Sequence, residues 1–106
     1  MRITSNEKFT VASSATKDLI LSRGEVGDTT TAELYIQTTS SVTFALTGKV
    51  NSAESATVTI PVIDCSTYSV APSASTAGLY MAMTTGLDSV EATFAGAGDV
   101  TIKTVY

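Results

Sequence analysis

The sequence predicts an all-β fold, an antiparallel β-sandwich of jelly-roll or Ig-like type with about eight strands. Three observations predict it. Thr, Val and Ile are in excess, with 19 Thr and 10 Val among 106 residues, and β-branched side chains fit a pleated, half-buried surface. Apolar and polar residues alternate with period two in one segment after another. Turn residues separate the segments roughly every 8–12 positions, the spacing of a sandwich or small barrel.

The elements follow in chain order. Phe9 and Val11 alternate with Lys8 and Thr10. Leu19 and Leu21 flank Ile20 after Asp18. Leu34 and Ile36 alternate with Glu33, Tyr35 and Gln37. Val42, Phe44 and Leu46 alternate with Thr43, Ala45 and Thr47. Val58, Ile60 and Val62 alternate with Thr57, Thr59 and Pro61; Pro61 cannot donate to a ladder, which places this strand at an edge. Leu79 and Met81 alternate with Tyr80 and Ala82. Val90, Ala92 and Phe94 alternate with Glu91 and Thr93, and Val100 and Ile102 with Thr101 and Lys103. No i, i+3, i+4, i+7 stripe persists, so no helix longer than a turn is expected.

Between these segments, Arg23 to Asp28 reads as a loop, and Thr38 to Ser41 as a connection short enough for a hairpin. Gly48 to Ser55 is a polar hairpin loop, and Ala71 to Ser75 a small-residue loop. Thr85 to Asp88 and Gly96 to Asp99 are Gly-bearing turns. Residues 1–6 read as an N-terminal tail and 7–106 as one sandwich domain. The expected core is Phe9, Val11, Leu34, Ile36, Val42, Phe44, Leu46, Val58, Ile60, Val62, Leu79, Met81, Val90, Phe94, Val100 and Ile102. Tyr106 continues the Val100–Ile102 face and is expected to pack inward.

Composition narrows the function. Six Lys and Arg against ten Asp and Glu give a net charge of −4, with no histidine and one cysteine. A Ser-His-Asp or Cys-His machine and a histidine metal site are excluded. So are an internal disulfide and a cysteine zinc cluster. The acidic balance argues against nucleic acid. No apolar run is long enough to span a membrane, and the N-terminus turns polar without the apolar stretch of a signal peptide.

From Val42 onward the order of motifs resembles a β-sandwich module common in tailed-phage virion proteins. Val58-Thr59-Ile60-Pro61-Val62-Ile63-Asp64 resembles its "lPv.d" strand, and Ala77-Gly78-Leu79-Tyr80 its "aaGlY" strand. Gly86-Leu87-Asp88-Ser89-Val90-Glu91 resembles its "Gl..vr" strand, and Gly98-Asp99-Val100-Thr101-Ile102 its closing "Gdvtv" strand. The resemblance covers about residues 42–106. This chain has no Trp in the hairpin before the "lP" strand, and has Glu91 or Ala92 where the family often carries Arg. The resemblance implies a structural protein of a virus particle: a capsid decoration, head-fibre or tail-associated protein. The family motif holds no catalytic residues.

The remaining constellations are read against plain structural roles. Asp18, Asp28, Asp64, Asp88 and Asp99 lie near turns or strand ends. They lack the D-x-D-x-D spacing of a Ca²⁺ loop, so they are expected to cap their own backbone. Gly96-Ala97-Gly98 lacks the helix that a phosphate cradle needs and reads as a hairpin. Cys65 has no histidine to activate it and is expected as a buried or half-buried thiol. Thr-x-Thr pairs such as Thr57 and Thr59 are too scattered for an ice-binding face. Tyr35, Tyr68 and Tyr80 are the candidate interface residues, since exposed aromatics anchor contacts.

The expected protein is therefore not an enzyme and needs no cofactor or metal. It is a virion protein assembled in the host cytoplasm. It forms a homo-oligomer, with a trimer favoured, and docks on another virion protein such as the major capsid protein, without nucleic-acid or membrane partners. The alternative is an adhesin-like or carbohydrate-binding sandwich that uses the three tyrosines with loop Asp residues and Asn51. The 32 Ser and Thr residues carry few charges with them, so faces built from them can be buried against neighbours at low desolvation cost.

Overall fold

A computed structural model describes residues 4–20, 33–51, 53, 55–84 and 87–105. Ten strands and no helix are formed among them: β1 (Thr4–Val11), β2 (Ser14–Ile20), β3 (Glu33–Thr38), β4 (Thr43–Lys49), β5 (Val58–Ile60), β6 (Val62–Asp64), β7 (Ser69–Ala71), β8 (Gly78–Met83), β9 (Ser89–Ala95) and β10 (Gly98–Val105). They build a six-stranded sheet, ordered β1-β10-β3-β8-β6-β7, against a four-stranded sheet, ordered β2-β9-β4-β5. Every pairing is antiparallel. The all-β antiparallel sandwich is as the sequence predicts. Arg23 to Asp28, Leu21, Gly86 and Tyr106 lie outside the described residues.

Strand count and connections differ from expectation in four places. The run Val58–Val62 is two strands, because the chain changes sheets at Pro61: β5 pairs with β4 and β6 with β8. Proline's missing N–H is harmless at a crossing where no ladder continues. A short strand, β7, pairs with β6 where none was expected. Thr4 to Asn6, expected in the tail, pair with Val105 to Lys103 as the start of β1. Finally, neither Thr38–Ser41 nor Gly96–Asp99 closes a hairpin.

Both of those connections are corners. β1 and β2, β3 and β4, and β9 and β10 each pass from one sheet into the other, and the three bends lie side by side. The Gly96 N–H donates to Ser13 O at 2.9 Å, and the Thr39 N–H to Asp99 O at 3.1 Å. Thr39 Oγ1 accepts the Asp99 N–H at 2.9 Å, and the Thr10 hydroxyl donates to the Asp99 carboxylate at 2.8 Å. Asp99 thus serves the fold, but its carboxylate ties the corner to Thr10 on β1 where a cap on its own backbone was expected. Gly96 has φ 93°, and a Cβ there would meet Ser41 O at 2.5 Å. Glycine lets the layers of backbone approach.

The core lies between the sheets. Val11, Leu34, Ile36, Val42, Phe44, Leu46, Ile60, Val62, Val90, Phe94, Val100 and Ile102 are buried, as expected. Fully burying such a side chain contributes about 1.5–3 kcal/mol. Phe94 meets Phe9 edge-on at 5.3 Å and Phe44 at 5.7 Å, and Phe44 meets Tyr80 edge-on at 5.4 Å. This aromatic chain runs through the sandwich.

Four expected core residues sit elsewhere. Phe9 is half-buried at the β1 edge yet packs on the core. Val58 is exposed at the start of the edge strand β5. Leu79 is exposed and Met81 half-buried, because β8 presents its other face: Tyr80 and Ala82 are buried instead. The ladder fixes this orientation. Tyr80 is opposite Ile36 and Ala82 is opposite Leu34, both inward, so Leu79 and Met81 fall outward with Gln37 and Tyr35. A one-residue slip exchanges the faces.

The β1–β2 side of the sandwich is closed by charge. Lys17 on β2 forms an ion pair with Glu7 on β1, and its ammonium lies 5.1 Å from the Phe9 ring centroid. Charged side chains at sheet edges discourage unwanted strand pairing. Lys17→Ala is expected to cost about 1 kcal/mol or less, since pair and ring are partly solvated. The urea midpoint measures it, and a loss above about 2 kcal/mol would contradict the assignment.

Candidate interaction faces

The two outer faces differ in chemistry. On the six-stranded sheet, Lys103, Tyr35, Met81, Ile63 and Val70 form one cross-strand row. Leu79 lies in the next row beside Gln37 and Thr101, and Met83 in the row on the other side, opposite Glu33. Val70 is 65% exposed, Met83 49% and Leu79 44%; Tyr35, Met81 and Ile63 are half-buried. Leu79 and Met83 therefore stand in solvent on β8, with β6 and then β7 beyond it on one side. Contiguous apolar surface of this kind marks interaction sites. The face carries two lysines, Lys8 and Lys103, on neighbouring strands, with Glu33 and Asp99 in its end rows.

On the four-stranded sheet the outer rows are small and hydroxylated. Ser14, Ala95 and Thr43 make one row, and Thr16, Thr93 and Ala45 the next. Asp18, Glu91, Thr47 and Thr59 make the third. A cleft of about 260 Å³ lies at that end, lined by Asp18, Glu91, Thr47, Lys49, Ser89 and Thr57 among others. A shallower groove of about 330 Å³ runs between Thr43, Ala45 and Thr93 and the loop Ser73–Ser75. That loop is tied to the sheet by a bridge in which Phe44 and Ala74 exchange N–H···O bonds of 3.1 and 2.8 Å.

The three candidate tyrosines part company. Tyr80 is in the core, where its hydroxyl donates to Thr76 O at 2.8 Å and anchors the β7–β8 loop. It is not a surface anchor. Its ring fills the space beside Phe44, a role its polar tip disguises in the sequence. Tyr35 lies on the apolar face, and its hydroxyl donates to Glu33 at 2.5 Å. Tyr68 is 83% exposed at φ 58° in the β6–β7 turn. Few bulky residues adopt that left-handed conformation. Leu79, Met81, Met83, Ile63 and Val70 were not singled out from the sequence as surface residues. The signal was present in Gly78-Leu79-Tyr80-Met81-Ala82-Met83, which is apolar on both faces.

The groups of the carbohydrate reading do not converge. Tyr80 is internal, and Asn51 Oδ1 accepts the Ala53 N–H at 3.0 Å within its own loop. Asp64 binds the Ser66 N–H at 2.9 Å and the Ser66 hydroxyl at 2.7 Å. Among the described residues no group of three or more His, Cys, Asp or Glu is placed to hold a metal ion. Cys65 is a half-buried free thiol, 3.9 Å from Ile63 O.

The Ser66 hydroxyl, and next the Ser66 N–H, hold the Asp64 carboxyl below its ordinary value of 3.8. The folded value is depressed, so the stabilisation of this turn is present above the ordinary value and is lost as pH falls through the lowered one. Ser66→Ala is expected to move the Asp64 carboxyl upward in an NMR titration. An unchanged midpoint would contradict the assignment.

No family model matches the chain, and no curated protein matches it in sequence. Among solved structures it is similar to the crystal structure of SPBc2 prophage-derived protein YomS, with 15% identity and a TM-score of 0.67 over 97% of this chain and 93% of that chain. The sandwich described above is thus a fold shared, nearly end to end, with a prophage-derived protein.

Proposed function

We propose that the chain is a structural protein of a phage particle, a capsid auxiliary, decoration or head-fibre protein. It works by associating with itself and docking on another virion protein such as the major capsid protein, in particles assembled in the host cytoplasm. The observation that carries this reading is the outer face of β8, where Leu79 and Met83 are exposed on either side of Met81, whose row continues through Ile63 to Val70. Isolated sandwiches have no use for such a face, whereas an assembling subunit buries it. The fold shared with a prophage-derived protein supports the setting. The motif order from Val42 to Ile102 supports it independently. The reading assigns no catalytic residue and no cofactor, because surface and symmetry supply the function.

The test is mass spectrometry of density-gradient-purified particles from the lineage that carries the gene. The proposal expects the chain at a fixed ratio to the major capsid protein. A chain abundant in the lysate and missing from the particles would overturn it.

A further inference from the structure

We propose that the two outer faces bind each other: the six-stranded face of one copy packs on the four-stranded face of the next. The inference rests on the reading of this chain as a self-associating subunit, and it names the partner surface.

Lys8 and Lys103 stand on adjacent strands of the six-stranded face, diagonal to one another, since Lys8 is opposite Thr101 and Lys103 lies two residues further along β10. Neither forms an ion pair among the described residues. On the opposite side of the molecule, Asp18 and Glu91 face each other directly across β2 and β9. They too lack an ion pair among the described residues. Like charges directly opposite on neighbouring strands are destabilising. A pair of lysines from a second copy relieves this repulsion, and the carboxylates relieve the lysines in turn. A contact between two six-stranded faces would leave the Asp18–Glu91 repulsion in place.

Shape and spacing agree with the charges. Lys103 lies two strand spacings from Met81, roughly 10 Å. Asp18 lies two strand spacings from Thr47 on β4, again roughly 10 Å, and Ala45 lies one row further along that strand, roughly 12 Å away. With the charges opposed, the protruding Leu79 and Met81 come over Ala45, Thr93 and the shallow groove beside Ser73–Ser75. Small hydroxyl and methyl side chains accept bulky apolar ones at little desolvation cost. The contact joins unlike faces, so the rotation per copy decides between a closed ring and an open stack.

The experiment uses the full chain and two charge-reversed variants, Lys8→Glu/Lys103→Glu and Asp18→Lys/Glu91→Lys, with light-scattering mass measured across concentration at low and high salt. The wild type is expected to form salt-sensitive assemblies. Each variant alone is expected to associate on the order of a hundredfold more weakly, because the Lys8/Lys103 and Asp18/Glu91 positions then carry the same sign. An equimolar mixture is expected to restore assembly, because each acidic pair then meets a basic one. Three results would overturn the proposal: a monomeric wild type, an Asp18→Lys/Glu91→Lys variant that assembles as the wild type does, or a mixture that stays monomeric. A chain that is monomeric in solution but present in purified particles would remove this inference and leave the virion reading standing.

Discussion

Phe94→Ala is expected to destabilise the protein by about 4 kcal/mol, the largest effect of any substitution considered. Phe94 is fully buried. Its ring meets Phe9 from β1 and Phe44 from β4, so it joins the half-buried edge to the centre of the core. Removing it loses the transfer free energy of the ring and two aromatic contacts, and leaves a cavity. Strands on both sides are tied into ladders, which limits collapse into the space. For a chain of this length the melting temperature is expected to fall by roughly 20 °C. Urea unfolding at neutral pH measures the free energy directly. A loss under about 1 kcal/mol would mean that the aromatic chain is not the centre of the core.

Gly96→Ala is expected to cost about 3 kcal/mol, although the change adds a single methyl group. Two effects act together. The backbone has φ 93°, where an L side chain is strained, and the new Cβ would sit 2.5 Å from Ser41 O. The obstacle is backbone at the β3–β4 corner, and it cannot rotate aside as a side chain would. Relief requires opening the bend where three strand pairs change sheets. The expected signature is a lower unfolding midpoint with an unchanged denaturant slope. Ala97→Gly, on the same connection, is the control and is expected to fall within about 1 kcal/mol of the wild type. Equal behaviour of the two variants would contradict the corner.

The sequence made the layer architecture legible because alternation is a local signal. Leu34 and Ile36, Phe44 and Leu46, and Val100 and Ile102 all lie inward as their spacing implies. It did not make the corners legible. Whether Thr38–Ser41 closes a hairpin or turns a corner depends on whether β3 and β4 pair with each other or with β10 and β9, and that is decided by distant residues. The same holds for β8. Gly78-Leu79-Tyr80-Met81-Ala82-Met83 offers an apolar face on either side, and only pairing with Ile36 and Leu34 selects the Tyr80 face for the core. The orientation of β8 bears on function: Leu79 and Met81, expected in the core, form part of the outer apolar face instead. The hydroxyl-rich rows cover mainly the four-stranded side, and the six-stranded side carries Leu79, Met81, Met83 and Val70, a division that composition alone does not express.

That asymmetry makes Met81 the position to probe. It lies at the middle of the apolar row, between Tyr35 and Ile63, and is only half-buried. A charged side chain there disturbs the free subunit little and opposes burial of the face strongly. The most direct measurement is sedimentation velocity of the wild type and Met81→Asp at matched concentrations, with circular dichroism confirming the β-sheet content of both. The account predicts a wild type heavier than the 10.9 kDa monomer and a folded, monomeric Met81→Asp. Identical sedimentation of the two folded proteins would contradict it.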